Sequence, residues 1–214
     1  MTGPNPISPR LEQFLRDAQG LALPEAPTPL HTGLTKSMWA WVKESVQLPE
    51  DASILDIGCG QGAALEMFHG ERFNVCGVTC NPEDYVASSD RVGGEHVYFR
   101  DMHALEACDG SMDFVWLRHA LEHSPIPSFV LAEIFRILKP GGHLYVEVPS
   151  PGTPANHESN PSHFSVLGKA MWEHLFRRAG FEMVKTANIE LPLDVGPDVY
   201  FAWLLSKPEA PPCA

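Results

Sequence analysis

His119, Glu122 and His123 stand at positions i, i+3 and i+4. On one helical turn that spacing puts all three side chains on a single face. Such a face can do two kinds of chemistry. An imidazole titrates near neutrality and can serve as a general base toward a hydroxyl. Imidazoles with a carboxylate also suit a divalent metal such as Zn, Fe, Ni or Mn, which would orient a hydroxyl and lower its pKa. His163 is a further candidate, on a segment that also carries His157 and Glu158. His119, His123 and His163 are therefore the acid–base candidates, and His119, Glu122, His123 and His163 the candidate metal set. A structural role stays open beside both, with Glu122 and His123 hydrogen-bonding at a strand-to-helix junction. His31, His69, His96, His103, His143 and His174 are scattered and read as surface or satisfied core positions.

A second constellation is Asp56-Ile57-Gly58-Cys59-Gly60-Gln61-Gly62, which ends an apolar run and opens a helical pattern. Glycines tolerate positive φ and let a ligand press against bare backbone. Gly58-x-Gly60-x-x-Ala63 meets a loose dinucleotide fingerprint. That fingerprint wants an acid about 20 residues on, at the end of the next strand. Thr79 stands there, followed by Cys80 and Asn81. Asp56 also argues against a pyrophosphate, which it would repel, and for a ligand carrying a sulfonium and an ammonium group. Cys59 and Cys80 read as small apolar neighbours of that ligand.

These residues need elements to position them. Apolar runs at 53–57, 73–79, 96–100, 112–117, 143–148, 182–187 and 199–206 are strand candidates. Helical patterns fall at 63–69, 83–91, 128–138 and 165–179, the last with Ser165 as N-cap and Gly180 as stop. Ser124-Pro125 reads as the start of the helix that follows the histidine turn. Strands alternating with helices predict an α/β fold with a doubly wound, mostly parallel sheet. Its ligands bind beyond the carboxyl ends of the strands, where both constellations fall. Residues 1–48 are proline-rich at first and predict short helices at 11–21 and 35–46, read as an N-terminal helical appendage. Trp39 and Trp41 are read there as one packed and one exposed residue, with an acceptor-lining role as the alternative.

The ordered set Leu55-Asp56-Ile57-Gly58-Cys59-Gly60-Gln61-Gly62, Asp101-Met102, 112–117 and Leu138-Lys139-Pro140-Gly141-Gly142 resembles the class I S-adenosylmethionine-dependent methyltransferases. The His119-Ala-Leu-Glu122-His123 turn, His163-Phe164-Ser165 and Ala179-Gly180-Phe181 resemble its small-molecule and ubiquinone-type members. The resemblance implies a seven-stranded Rossmann-like sheet, with residues 49–214 as the S-adenosyl-L-methionine-binding domain. Position by position, it implies that Gly58, Cys59, Gly60 and Gln61 line the methionine end and that Asp56 organises the ammonium group. Asp101 would accept from the adenine amino group, Met102 would pack on the ring, and Leu117 and Arg118 would close the pocket. The family usually has an acid at the end of the second strand; here Thr79, Cys80 and Asn81 would hold the ribose without charge assistance. The histidine turn also resembles in part the Glu-x-x-Glu-His metal site of plant small-RNA 2′-O-methyltransferases, with His119 in place of the first glutamate.

The expected activity is methylation of a small-molecule acceptor, on oxygen. A non-catalytic cofactor-binding or scaffolding member is the alternative, and a nicotinamide oxidoreductase a distant third. A net charge of −12 disfavours nucleic acid and anionic membrane as partners. Five cysteines without a CxxC pattern, and no apolar run long enough to span a bilayer, lead to an expectation of a soluble cytoplasmic protein. Oligomeric state and acceptor carry no sequence signal.

Overall fold

A computed structural model describes residues 9–20 and 28–209. Pro4, Pro6, Pro24, Pro27, Cys213 and the expected helix end at Leu21 lie outside the described residues. In chain order the main elements are α1 (Pro9–Gln19), α2 (Pro29–Lys43), β1 (Ser53–Ile57), α3 (Ala63–Gly70), β2 (Asn74–Thr79), α4 (Pro82–Val92), β3 (Val97–Phe99) and β4 (Met112–Arg118). They continue with α5 (Pro127–Ile137), β5 (Leu138–Pro149), α6 (Lys169–Ala179), β6 (Glu182–Leu193) and β7 (Gly196–Ser206).

The seven strands form one sheet in the order β3-β2-β1-β4-β5-β7-β6. β1 pairs in parallel with both β2 and β4, while β7 runs antiparallel to its neighbours β5 and β6. The winding reverses between β1 and β4, so a crevice opens beyond their carboxyl ends. Alternate side chains of the central strands serve opposite faces. Leu55, Ile57, Val115 and Leu117 pack with α5 and α6, whereas Ile54, Phe114 and Trp116 pack with α2 and α3.

Part of the expected appendage belongs to this second layer. α2 buries Met38, Trp39 and Val42, and the Trp39 ring meets Phe68 edge-on at 4.9 Å and Phe114 at 5.5 Å. Trp41 packs edge-on against Tyr145 at 6.3 Å, with the Lys185 ammonium 4.1 Å from its ring centre. Both tryptophans thus pack against the sheet, so neither is the exposed one expected.

Several expected boundaries move. The helix expected at 35–46 runs over Pro29–Lys43, started by the Thr28 cap and Pro29. β6 and β7 extend to Leu193 and Gly196, and three other boundaries shift for a local reason. α5 starts at Pro127, because the Ser124 hydroxyl instead accepts from the Ile126 N–H at 3.1 Å and forms a turn. α6 starts at Lys169 after Gly168, because Ser165 is committed elsewhere: its N–H donates to Glu122 O and its hydroxyl to Ser124 O. β5 begins at Leu138, taking the Lys139-Pro140-Gly141-Gly142 stop into the strand with Gly141 at φ +77° and a register shift opposite Met112–Phe114. Among the described residues no helix is long and apolar enough to cross a membrane.

Candidate active site

The crevice beyond β1, β2 and β4 is a cavity of about 200 Å³. Its floor is the glycine loop, where Gly58, Gly60 and Gly62 have φ of +72°, +49° and +81°. A Cβ on Gly58 would come within 2.6 Å of the Ala120 Cβ, so this position excludes side chains by conformation and by space. The Gly58 and Cys59 N–H groups both donate to Val78 O, at 2.9 and 3.1 Å, which pins the loop to β2. His31, Thr32 and Thr35 of α2 complete the wall from the other side.

The expected residues Asp56, Gly58, Cys59, Gly60, Gln61, Thr79, Cys80, Asn81, Met102 and Arg118 all border this cavity. Asp56 is 3% exposed, and burial raises its carboxyl to about 7 against the opposing pull of the Arg118 guanidinium. Burial likewise drives the Cys80 thiol up to about 11, and the Cys59 thiol well above its ordinary value with help from Asp56. Neither is activated as a nucleophile. Two expected residues stand back from this wall. Leu117 is fully buried in the apolar core. Asp101 faces an adjoining cleft beside Leu15, Ala18 and Gln19 of α1. It accepts from the Gln19 amide and lies 2.6 Å from His103 Nδ1, and the His103 Nε2 meets the Ser124 hydroxyl at 2.7 Å.

At the end of β2, Thr79 Oγ1 accepts from the Asn81 N–H at 3.2 Å, and Asn81 Oδ1 caps α4 by accepting from Glu83 and Asp84. The cap turns the first turn of α4 toward the cavity and places the Asp84 carboxylate, 6% exposed, on its wall. Sequence reasoning, looking for an acid at 79, missed this one. The Asn81-Pro82 helix start was the available signal.

The histidines do not share one helical face. His119 follows β4 directly with φ +51°, ahead of a 3₁₀ turn at Leu121–His123. That twist sends His119 to Glu147 of β5, with Nε2 2.7 Å from Oε1. The candidate metal set therefore contracts: one ligand atom each of Glu122, His123 and His163 lies within 4.8 Å of the other two, and His119 is not in the group. Glu122 is 2% exposed. His123 Nδ1 is 3.0 Å from Ser162 O, and His163 Nδ1 is 3.1 Å from His157 O.

Glu147 is the second acid that sequence reasoning missed. It is 1% exposed, with Arg118 Nε 2.9 Å from Oε1 and the Tyr145 hydroxyl donating to Oε2. Burial alone would raise its carboxyl, but His119, Arg118 and Tyr145 together bring it down to about 2. The signal was one glutamate inside the otherwise apolar run Leu144 to Val148. The buried Asp198 of β7 plays a similar part for His157, whose Nε2 lies 3.0 Å away. The Tyr200 ring stacks on His119 at 4.4 Å and 15°.

A strand order of this kind, a glycine loop at the switch point and an acid beneath it define a Rossmann-like nucleoside-binding domain. The sequence matches the family described as "Methyltransferase domain" over residues 34–186, well over half of the chain. The chain belongs to this family, the class I S-adenosylmethionine-dependent methyltransferases, whose cofactor is S-adenosyl-L-methionine. It is 33% identical to 2-methyl-6-phytyl-1,4-hydroquinone methyltransferase of Synechocystis over 103 residues, which is 46% of this chain and 32% of that protein. It is 32% identical to arsenite methyltransferase of Aquipseudomonas alcaligenes over 156 residues, 63% of this chain and 45% of that one. Phosphoethanolamine N-methyltransferase 2 of Haemonchus contortus, solved with S-adenosyl-L-methionine, shares the fold with a TM-score of 0.69 at 17% identity, over 81% of this chain and 53% of that one. The chain thus spans about a third to a half of the length of these curated relatives. The donors on the cavity wall suit the cofactor: a buried carboxylate for a cation, bare glycine backbone, and a second carboxylate within the same crevice.

Proposed function

We propose that this chain transfers the methyl group of S-adenosyl-L-methionine to a small-molecule acceptor, on a hydroxyl oxygen. The observation that carries the reading is the Asp56 carboxylate, held at about 7 beside two positive-φ glycines, Gly58 and Gly60, on one cavity wall. An ammonium group there relieves the cost of that buried charge. Gly58, Cys59, Gly60 and Gln61 would take the methionine end, and Met102 the adenine ring. Asp84, one helical turn beyond Thr79, supplies the acid for the ribose hydroxyls that Thr79, Cys80 and Asn81 lack. Leu117 acts from behind, as packing for the strand that presents Arg118. Methyl transfer is an in-line displacement, so the protein's tasks are to align acceptor, methyl and sulfur and to exclude water. Calorimetric titration with S-adenosylhomocysteine tests the reading. Micromolar binding supports it, and a folded sample with no heat and no thermal shift ends it.

A second reading concerns the histidine turn. The convergence of Glu122, His123 and His163, with each imidazole Nδ1 held by a backbone carbonyl, favours a three-ligand divalent metal site in which His163 Nε2 would exchange its 3.2 Å contact with the Asn160 amide for the ion. Ligating histidines characteristically donate their other ring N–H in this way. Elemental analysis of tag-free protein, with the His123→Ala, His163→Ala pair as control, decides it. One equivalent of Zn, Fe, Ni or Mn lost in the variant supports the site; none in the wild type removes it.

A further inference from the structure

We propose that His119 is the general base for a hydroxyl carried on a flat aromatic acceptor, and that buried Glu147 is the positioning residue that aims it. This rests on the methyltransferase reading above. His119 holds a left-handed backbone, φ +51°, on the wall of the cofactor cavity. A residue with a Cβ keeps such a conformation only where its surroundings enforce it, and such positions cluster at reacting centres. Here one residue enforces it twice. The His119 N–H donates to Glu147 O at 2.9 Å, and His119 Nε2 lies 2.7 Å from Glu147 Oε1. Donation from Nε2 to the carboxylate selects the tautomer in which Nδ1 is the proton-accepting nitrogen.

The environment of Glu147 suits this task. Its carboxylate is 1% exposed and is met by Arg118 Nε at 2.9 Å and by the Tyr145 hydroxyl. His119 leads the groups that hold this carboxyl down, followed by Arg118 and Tyr145, so the carboxylate favours the imidazolium that forms when His119 takes up a proton. His123 and His163 differ: the fixed partner of each Nδ1 is a backbone carbonyl. The acceptor class follows from the rings that meet at His119, of which His119 and His31 border the cavity while Tyr200 backs the His119 ring. The His119 ring lies flat on Tyr200 at 4.4 Å, and His31 stands edge-on at 6.1 Å. Flat rings at stacking and edge distances suit a planar hydroxylated ring.

In the step itself the acceptor oxygen forms a bond to the methyl carbon as the carbon–sulfur bond breaks. The pair of that bond stays on sulfur, giving the neutral thioether, and the hydroxyl proton passes to His119 Nδ1. A phenol that is already ionised needs no base. Catechol and 4-nitrocatechol, assayed at about pH 8, therefore separate proton removal from alignment. Rates are taken per cofactor-loaded protein, with S-adenosylhomocysteine calorimetry on each variant. His119→Asn, whose residue type tolerates the left-handed backbone, should lose about a hundredfold or more on catechol and far less on 4-nitrocatechol. Glu147→Gln should lose about tenfold or more on catechol, again selectively. If either variant misfolds, the other still decides. Equal losses on both phenols mean a structural role and overturn the proposal, as does an undiminished catechol rate. Wild-type protein that binds S-adenosylhomocysteine but methylates neither phenol also overturns it while leaving the cofactor reading intact. Wild-type protein that does not bind the thioether overturns both.

Discussion

Asp56 and Glu147 are both carboxylates on central strands, 3% and 1% exposed, and their titration is displaced in opposite directions. Asp56 goes up to about 7 and Glu147 down to about 2. Burial penalises both charges alike. The difference lies in the company each keeps. Glu147 has an imidazole and a guanidinium within 2.9 Å and a phenol donating to its other oxygen. For Asp56, burial outweighs the coulombic pull of Arg118. Glu147 is compensated within the protein; Asp56 is half of an ion pair whose second half a ligand can bring. The β1 side of the site is built to bind, and the β5 side to hold groups in place.

The comparison breaks most visibly at Glu147. Glu147→Leu leaves Arg118 buried without its partner and should cost about 3–5 kcal/mol in urea denaturation. The Glu147→Gln variant, which keeps hydrogen-bonding capacity, should cost clearly less. A loss below ~1 kcal/mol for the leucine variant would show that the network is not worth its burial.

Stability against pH comes next, and the two acids act with opposite sign. Asp56 has its folded value raised above the ordinary 3.8. It therefore contributes stability that is complete below about pH 4 and is lost as pH rises through about 7, an effect on the order of a few kcal/mol. Glu147, with its folded value lowered from 4.5, contributes stability present above about pH 4.5 and lost as pH falls toward 2. Thermal melts of the unliganded protein should thus decline from pH 5 to 7.5, and Asp56→Asn should flatten that slope. A flat wild-type profile would remove the contrast.

Gly58→Ala should cost about 1–3 kcal/mol through its positive φ and the Ala120 contact, and should weaken S-adenosylhomocysteine binding more than Gly60→Ala, since a Cβ at Gly60 meets nothing within 4 Å. Affinity for S-adenosylhomocysteine should fall about tenfold per pH unit below about 7, as Asp56 takes up a proton, and calorimetry at pH 6 and 8 checks this. The smallest effect is expected at Asp84. Asp84→Asn should lose about tenfold in affinity for S-adenosylhomocysteine, and less for its 2′-deoxy analogue.

Much of this was legible along the chain. The alternation of strands and helices, the Asp56–Gly62 loop and the seven-stranded sheet follow from periodicity and glycine placement, which are local properties. The histidine turn was misread as one helical face, because a spacing of three and four implies a shared face only if the backbone is helical, and His119 is left-handed. Glu147 and Asp198 were passed over because a single acid in an apolar strand has no local partner to announce it; their partners lie 28 and 41 residues away. Asp84 was hidden by a rule that looks for the acid at the strand end and not on the next helix.

The order of residues alone decided the class of fold and the place of the loop, since each depends on neighbours within one element, and the resemblance of an ordered set of motifs pointed to the cofactor. Which carboxylate is ionised, which imidazole a carboxylate aims, and which histidines converge were decided only when β5 came beside β4 and the 157–165 segment closed over the turn. Charges and hydrogen bonds act through space at a few ångströms, and only the folded chain sets those distances.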